Sequence, residues 1–218
     1  MKLKKSTVVL IISIIVIADQ ALKIYVKTHY YIGESHSVIG NWFKIYFIEN
    51  EGMAYGWKFG GQWGKILLTL FRLAAVIFGV FYITKIFEKK YHPGYIICVA
   101  FIFAGALGNL IDSLFYGMIF EYSSPVDYNV AHLFPPHGYA GFLHGRVVDM
   151  LYFPIIHINR MPDWIPFLGG NRFSFFNYIF NISDASVSIG VIIILLFRRH
   201  FFKPENQKAE QGSEAICE

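Results

Sequence analysis

The sequence predicts a membrane-embedded, all-α core of four transmembrane helices with a small β element outside the bilayer. Three observations predict it. Hydrophobic residues make up 55% of the 218 positions and charged residues only 16%, far from the balance of a water-soluble domain. Apolar runs recur at a length suited to crossing about 30 Å of hydrocarbon. Basic residues flank those runs: Lys2, Lys4 and Lys5 precede the first, Lys85, Lys89 and Lys90 follow the second, and Arg198, Arg199 and Lys203 follow the last. That bias orients a membrane protein with both termini on the inner side. The net charge of +4 forms no single basic patch, which argues against nucleic acid as a partner.

The first span, about 7–26, contains Asp19, Gln20 and Lys23, and it crosses a bilayer only if these polar groups face protein. A cleaved signal peptide is the alternative, but no small-residue cleavage site follows the run. Residues 28–64 are external; Trp42 to Ile48 alternates in the manner of short strands on an amphipathic sheet. The second span, about 66–87, includes Thr69, Arg72 and Thr84, and His92-Pro93-Gly94 turns the chain into the third, about 95–115. Gly105 and Gly108 there allow close helix approach. Residues 117–176 hold prolines, glycines and histidines with no spanning run, and form an enlarged external segment. The fourth span covers about 179–199. Residues 1–203 thus read as one membrane domain and 204–218 as a disordered polar tail.

Cys98 and Cys217 offer no disulfide framework. The eight histidines include no H-E-x-x-H pattern, and His132, His137 and His144 read as surface or packing residues. No metal site and no cofactor are expected.

The chemistry falls to carboxylates beside apolar runs, where burial is costly and function is the default explanation. Four qualify: Asp19, Asp112, Asp149 and Asp184. The orientation brings Asp19, Asp112 and Asp184 to the outer membrane face, and Asp149 arrives there on the external segment. Closely held carboxylates share a proton, which leaves one acid and one base at neutral pH. Such a pair activates water without a covalent intermediate. Asn109 with Asp112 and Asn181 with Asp184 stand at i and i+3, and Asp19 with Lys23 at i and i+4, so each pair is expected on one helix face. Lys23 or Arg146 offsets the negative charge. Two other readings of the same acids are a small proton-coupled transporter and a non-catalytic assembly subunit glued by polar contacts.

Five short blocks, in order, resemble the bacterial lipoprotein signal peptidases, or signal peptidase II. Asp19-Gln20-Ala21-Leu22-Lys23 resembles that family's D-Q-x-x-K, and Asn50-Glu51-Gly52-Met53-Ala54-Tyr55 its N-x-G-x-A-F. Gly108-Asn109-Leu110-Ile111-Asp112 resembles G-N-x-x-D, Arg146-Val147-Val148-Asp149-Met150 the V-x-D-F block, and Phe180-Asn181-Ile182-Ser183-Asp184 F-N-x-A-D. The resemblance implies an aspartic endopeptidase of the inner membrane, with Asp149 and Asp184 catalytic; separately, the chain is expected to be a monomer. Asp19, Lys23, Asn50, Gly52, Ala54, Asn109, Asp112, Arg146 and Asn181 would shape the site or touch substrate. The implied substrates are lipid-modified prolipoproteins, received laterally from the membrane lipids and cleaved before the diacylglyceryl-cysteine at the periplasmic face.

The sequence departs from the pattern in places. Ser113 stands where the family usually has Arg, with Arg146 as the expected substitute cation. Tyr55, Met150 and Ser183 replace Phe, Phe and Ala. Segments 118–144 and 151–175 exceed the usual connections, which suggests a cap or gate, and a mobile Asp149 that closes onto Asp184.

Overall fold

The computed structural model describes residues 3–50, 61–154, 156–158, 160, 162–164, 170, 173–175 and 178–202. The expectations for Gly52 and Ala54, for much of 151–175 and for the tail 204–218 lie outside the described residues.

Three helices are long and apolar enough to cross a membrane: α1 (Lys5–His29), α2 (Gly61–Glu88) and α3 (Pro93–Ile119). A shorter apolar helix, α4 (Ile182–Leu196), is followed by a single turn, α5 (Arg198–Phe201). α4 is narrower than the expected span of 179–199 because Ile179–Phe180 is drawn into a sheet and the helix register breaks at Phe197. α3 starts where Pro93 occupies the first turn and the His92 side chain accepts the Gly94 N–H at 3.1 Å, a position that needs no N–H from proline.

Outward-facing side chains on these helices are large and apolar, among them Ile14 and Ile17 on α1, Leu67 and Phe71 on α2, and Leu195 and Leu196 on α4. Lipid is as apolar as they are, so helix association depends on close packing and hydrogen bonds. α3 and α4 form the most extensively packed helix pair. A Cβ at Gly105 would stand 2.2 Å from the Ser183 carbonyl oxygen, and one at Gly108 2.1 Å from Ser183 Oγ, so glycine is required at both crossings.

Beyond the helix ends lies a four-stranded antiparallel sheet in the order β1 (Ser35–Ile39), β2 (Phe43–Asn50), β3 (Val147–Tyr152) and β6 (Ile179–Phe180). A separate two-stranded ribbon pairs β4 (Ile156–Ile158) with β5 (Phe173–Phe175). The predicted external β element is therefore larger than expected, because distant segments complete it: β3 comes from the enlarged external segment and β6 from the start of the predicted fourth span.

Alternation across β3 separates two environments. Val148 and Met150 join Val26, Phe47, Tyr116 and Phe120 in an apolar cluster above the helices, whereas Asp149 points to the other face. Segment 120–146 packs with the first face: Tyr139 lies against that cluster, the Ala140 N–H donates to the Gly117 carbonyl, and Ser123 Oγ accepts from Lys27. The contacts of 120–140 thus lie behind the sheet from Asp149, while the Leu143 carbonyl accepts from Thr69 of α2 and the Gly145 N–H donates to the Ser113 carbonyl of α3. Asp149 is itself 3% exposed and held in the sheet register opposite Ile48. That seating counts against the expectation of a mobile Asp149 arriving on a loose segment.

Candidate functional site

β6 ends one residue before α4 begins, and Asn181 occupies the junction. Its backbone is extended, with φ −122°, so it caps the helix rather than sharing a helix face with Asp184 as the i, i+3 spacing suggested. Asn181 Oδ1 accepts the Asp184 N–H at 2.8 Å, and Asp184 Oδ2 accepts the Asn181 N–H at 3.4 Å. This reciprocal box satisfies two amides of the first turn. Because β6 pairs with β3, the same asparagine also reaches the neighbouring strand: Asn181 Nδ2 donates to Asp149 Oδ1 at 2.7 Å. One fully buried side chain therefore bonds to the Asp149 carboxyl and to the Asp184 backbone amide.

Further amides complete their surroundings. Asn109 Nδ2, on α3, donates to Asp184 Oδ1 at 2.8 Å. Asn50 lies diagonally across the β2–β3 ladder from Asp149, and its Nδ2 stands 3.5 Å from Asp149 Oδ2. Burial and the Asp184 charge push the Asp149 carboxyl up to about 7. It therefore changes protonation state around neutral pH, as a group used for proton transfer should.

Beneath the pair is a network centred on α1. Lys23 Nζ contacts Asp19 Oδ2 and Asp112 Oδ2, each at 2.8 Å, and donates to Asn109 Oδ1 at 2.9 Å. All three ammonium donors are used. Gln20 Nε2 donates to Asp112 Oδ1 at 2.9 Å, and Gln20 Oε1 accepts from the Tyr116 hydroxyl. The acids also reach backbone amides: Asp112 Oδ2 accepts from Val148 N at 3.3 Å as well, and Asp19 Oδ1 accepts from Ser183 N at 2.9 Å. Val148 and Ser183 directly precede Asp149 and Asp184. The two inner acids thus hold the backbone on which the two outer acids are mounted.

The structure brings together Asp19, Lys23, Asn50, Asn109, Asp112, Asp149, Asn181 and Asp184. Arg146, expected among them, does not join them. It lies on the other face of the sheet, 3.4 Å from Glu49 and over the rings of Tyr122 and Tyr139, because Val147 and Val148 intervene in the strand alternation.

The cation on the acid side is Arg72 of α2, which sequence reasoning recorded only as an interruption of an apolar run. Its charge acts on Asp184, Asp112 and Asp149, and Nη1 donates to Ser113 Oγ at 2.8 Å. A signal was present: buried Lys65, Thr69 and Val76 share its helical stripe at i, i+4, i+7 and i+11. Among the described residues no group of three or more His, Cys, Asp and Glu is arranged to hold a metal ion.

Buried Asp149 and half-buried Asp184, linked through Asn181 at the junction of a membrane helix bundle and an antiparallel sheet, form a two-carboxylate arrangement of the kind a hydrolase can use. Comparison with known proteins is specific. The family Peptidase_A8, described as signal peptidase (SPase) II, matches residues 11–199. The chain is 44% identical over 188 residues to a lipoprotein signal peptidase of Porphyromonas gingivalis, covering 85% of this chain and 80% of that protein. It is 32% identical over 201 residues to one of Amoebophilus asiaticus, covering 89% and 78% respectively. A bacterial membrane enzyme solved by the in meso method at 2.3 Å matches with a TM-score of 0.57 and 28% identity, covering 94% of this chain and 95% of that one. The chain belongs to the signal peptidase II family, and it is a bacterial membrane enzyme with several membrane-spanning helices.

Proposed function

We propose that this chain removes signal peptides from diacylglyceryl-modified prolipoproteins, hydrolysing the peptide bond before the lipidated cysteine with Asp149 and Asp184 as its catalytic pair. The observation that carries the reading is Asn181 bonded to both residues: to the Asp149 carboxylate and, through the capping box, to Asp184. Asp149, near half protonation at neutral pH, is the acid. Asp184 accepts the proton of the attacking water, and Asp149 supports the developing oxyanion and returns a proton to the leaving amine. Asn50, Asn109 and Asn181 orient the two carboxyls. Asp19, Lys23 and Asp112 fix the strand and helix that carry them. Gly52 and Ala54 are assigned to substrate contact by the family pattern alone.

A substrate with an apolar signal segment and two acyl chains already resides in the bilayer. Lateral entry between helices then needs no aqueous route. α4 and α5 together, residues 182–201, reach about 30 Å at 1.5 Å per residue and supply the fourth span. The basic flanks place both termini in the cytoplasm and the acids at the periplasmic face of the inner membrane. No cofactor takes part in these steps, and the enzyme works as a monomer.

The purified chain in lipid bicelles is expected to cut a diacylglyceryl-modified prolipoprotein before the modified cysteine, to leave the unmodified precursor intact, and to retain this activity after strong metal chelation. Equal cleavage of both precursors would overturn the substrate assignment.

A further inference from the structure

Ser113 occupies the position that carries arginine in the signal peptidase II pattern, yet the site does not lack a second cation. Arg72 reaches it from the adjacent helix. The Ser113 hydroxyl accepts from Arg72 Nη1 at 2.8 Å and donates to the Asn109 carbonyl at 2.9 Å. Asn109 in turn donates to Asp184. Ser113 is fully buried, so its hydroxyl forms a fixed seat for the guanidinium.

The charge inventory explains why a cation is needed. Asp19 from α1, Asp112 from α3, Asp149 from β3 and Asp184 from α4 converge, while Lys23 pairs directly with Asp19 and Asp112. Uncompensated carboxylates at membrane depth are strongly unfavourable. We propose that Arg72, seated on Ser113, is the positioning cation of the Asp149–Asp184 pair, supplied from α2 in place of the arginine that the family pattern puts after Asp112. A planar guanidinium suits this role because one N–H can hold the seat while the positive charge is spread over the rest of the fork.

The proposal rests on the catalytic reading above, and its test uses an enzyme that still turns over. The full chain in bicelles is assayed on a diacylglyceryl lipopeptide across pH, with thermal unfolding measured alongside. Asp19, Lys23, Asp112, Asp149 and Asp184 stay intact throughout. Removing a nearby positive charge makes a carboxylate harder to ionise, so Arg72→Met should lower kcat/KM by about tenfold and move the acid limb of the rate profile upward by about one pH unit. Adding Ser113→Arg to Arg72→Met returns a cation from α3 and should restore both. Arg72→Lys should keep the acid limb near its wild-type pH even if Arg72→Met fails to accumulate.

An unchanged acid limb in Arg72→Met, no recovery in the double variant, or a displaced limb in Arg72→Lys would each overturn the proposal. A purely structural arginine would alter unfolding without moving the acid limb. Failure of the dyad itself is seen separately, as undiminished cleavage by Asp149→Asn.

Discussion

Lys23 and Lys27 stand one turn apart on α1, both fully buried, yet they sit in different chemistry. Lys23 is enclosed by Asp19, Asp112 and Asn109, and the two acids among them bond to the backbone just before Asp184 and Asp149. Lys27 pairs with Glu49, donates to Ser123 and lies under the rings of Phe47, Phe120 and Tyr139. The first ammonium organises the acid site and the second fastens the sheet to the helices. The difference lies in the register of the sheet: Glu49 and Asn50 are neighbours on β2, so one faces Lys27 and the other faces Asp149. One strand serves both centres because its side chains alternate.

Several substitutions would break or sharpen that contrast. Lys23→Met leaves two buried carboxylates without their shared cation, and is expected to reduce both membrane abundance and turnover, the latter by roughly a hundredfold or more in the protein that folds. Turnover within about threefold of wild type would remove Lys23 from the site's organisation. Lys27→Met is expected to cost about 3 kcal/mol of stability by stranding Glu49, while turnover per folded molecule falls far less. Adding Glu49→Gln should recover much of that stability, measured by thermal unfolding in detergent. No recovery would show that ring packing around Lys27, not the ion pair, carries its contribution.

A smaller effect comes from pH. The Asp149 carboxyl is raised from 3.8 to about 7, so the folded state disfavours its ionised form. The stability tied to this group is complete below the unfolded value and is lost as pH rises through about 7. Between pH 5 and pH 8 the wild-type melting temperature should therefore fall more steeply than that of Asp149→Asn, which cannot ionise. Parallel curves would contradict the raised value.

Much of the fold was legible. The apolar runs and their basic flanks located α1, α2 and α3, and the acids named from sequence converge. What stayed hidden depends on partners far apart in the chain. Arg72 meets Ser113 across 41 residues, Asp19 meets the Ser183 amide across 164, and Asp112 meets the Val148 amide across 36. No local period encodes such contacts. The i, i+3 spacing of Asn181 and Asp184 suggested a shared helix face, but the same spacing fits a capping box, and the short strand β6 decides between them. Arg146 was misplaced for a related reason: proximity to Asp149 in sequence says nothing of its face unless the strand itself is recognised.

The most direct test is the replacement of each acid singly, as Asp149→Asn and Asp184→Asn, in cells or bicelles supplied with a lipid-modified prolipoprotein, with membrane abundance measured in parallel. Each variant should accumulate and lose cleavage by roughly a thousandfold or more. Near-normal processing by either one, at normal abundance, would contradict the two-aspartate account.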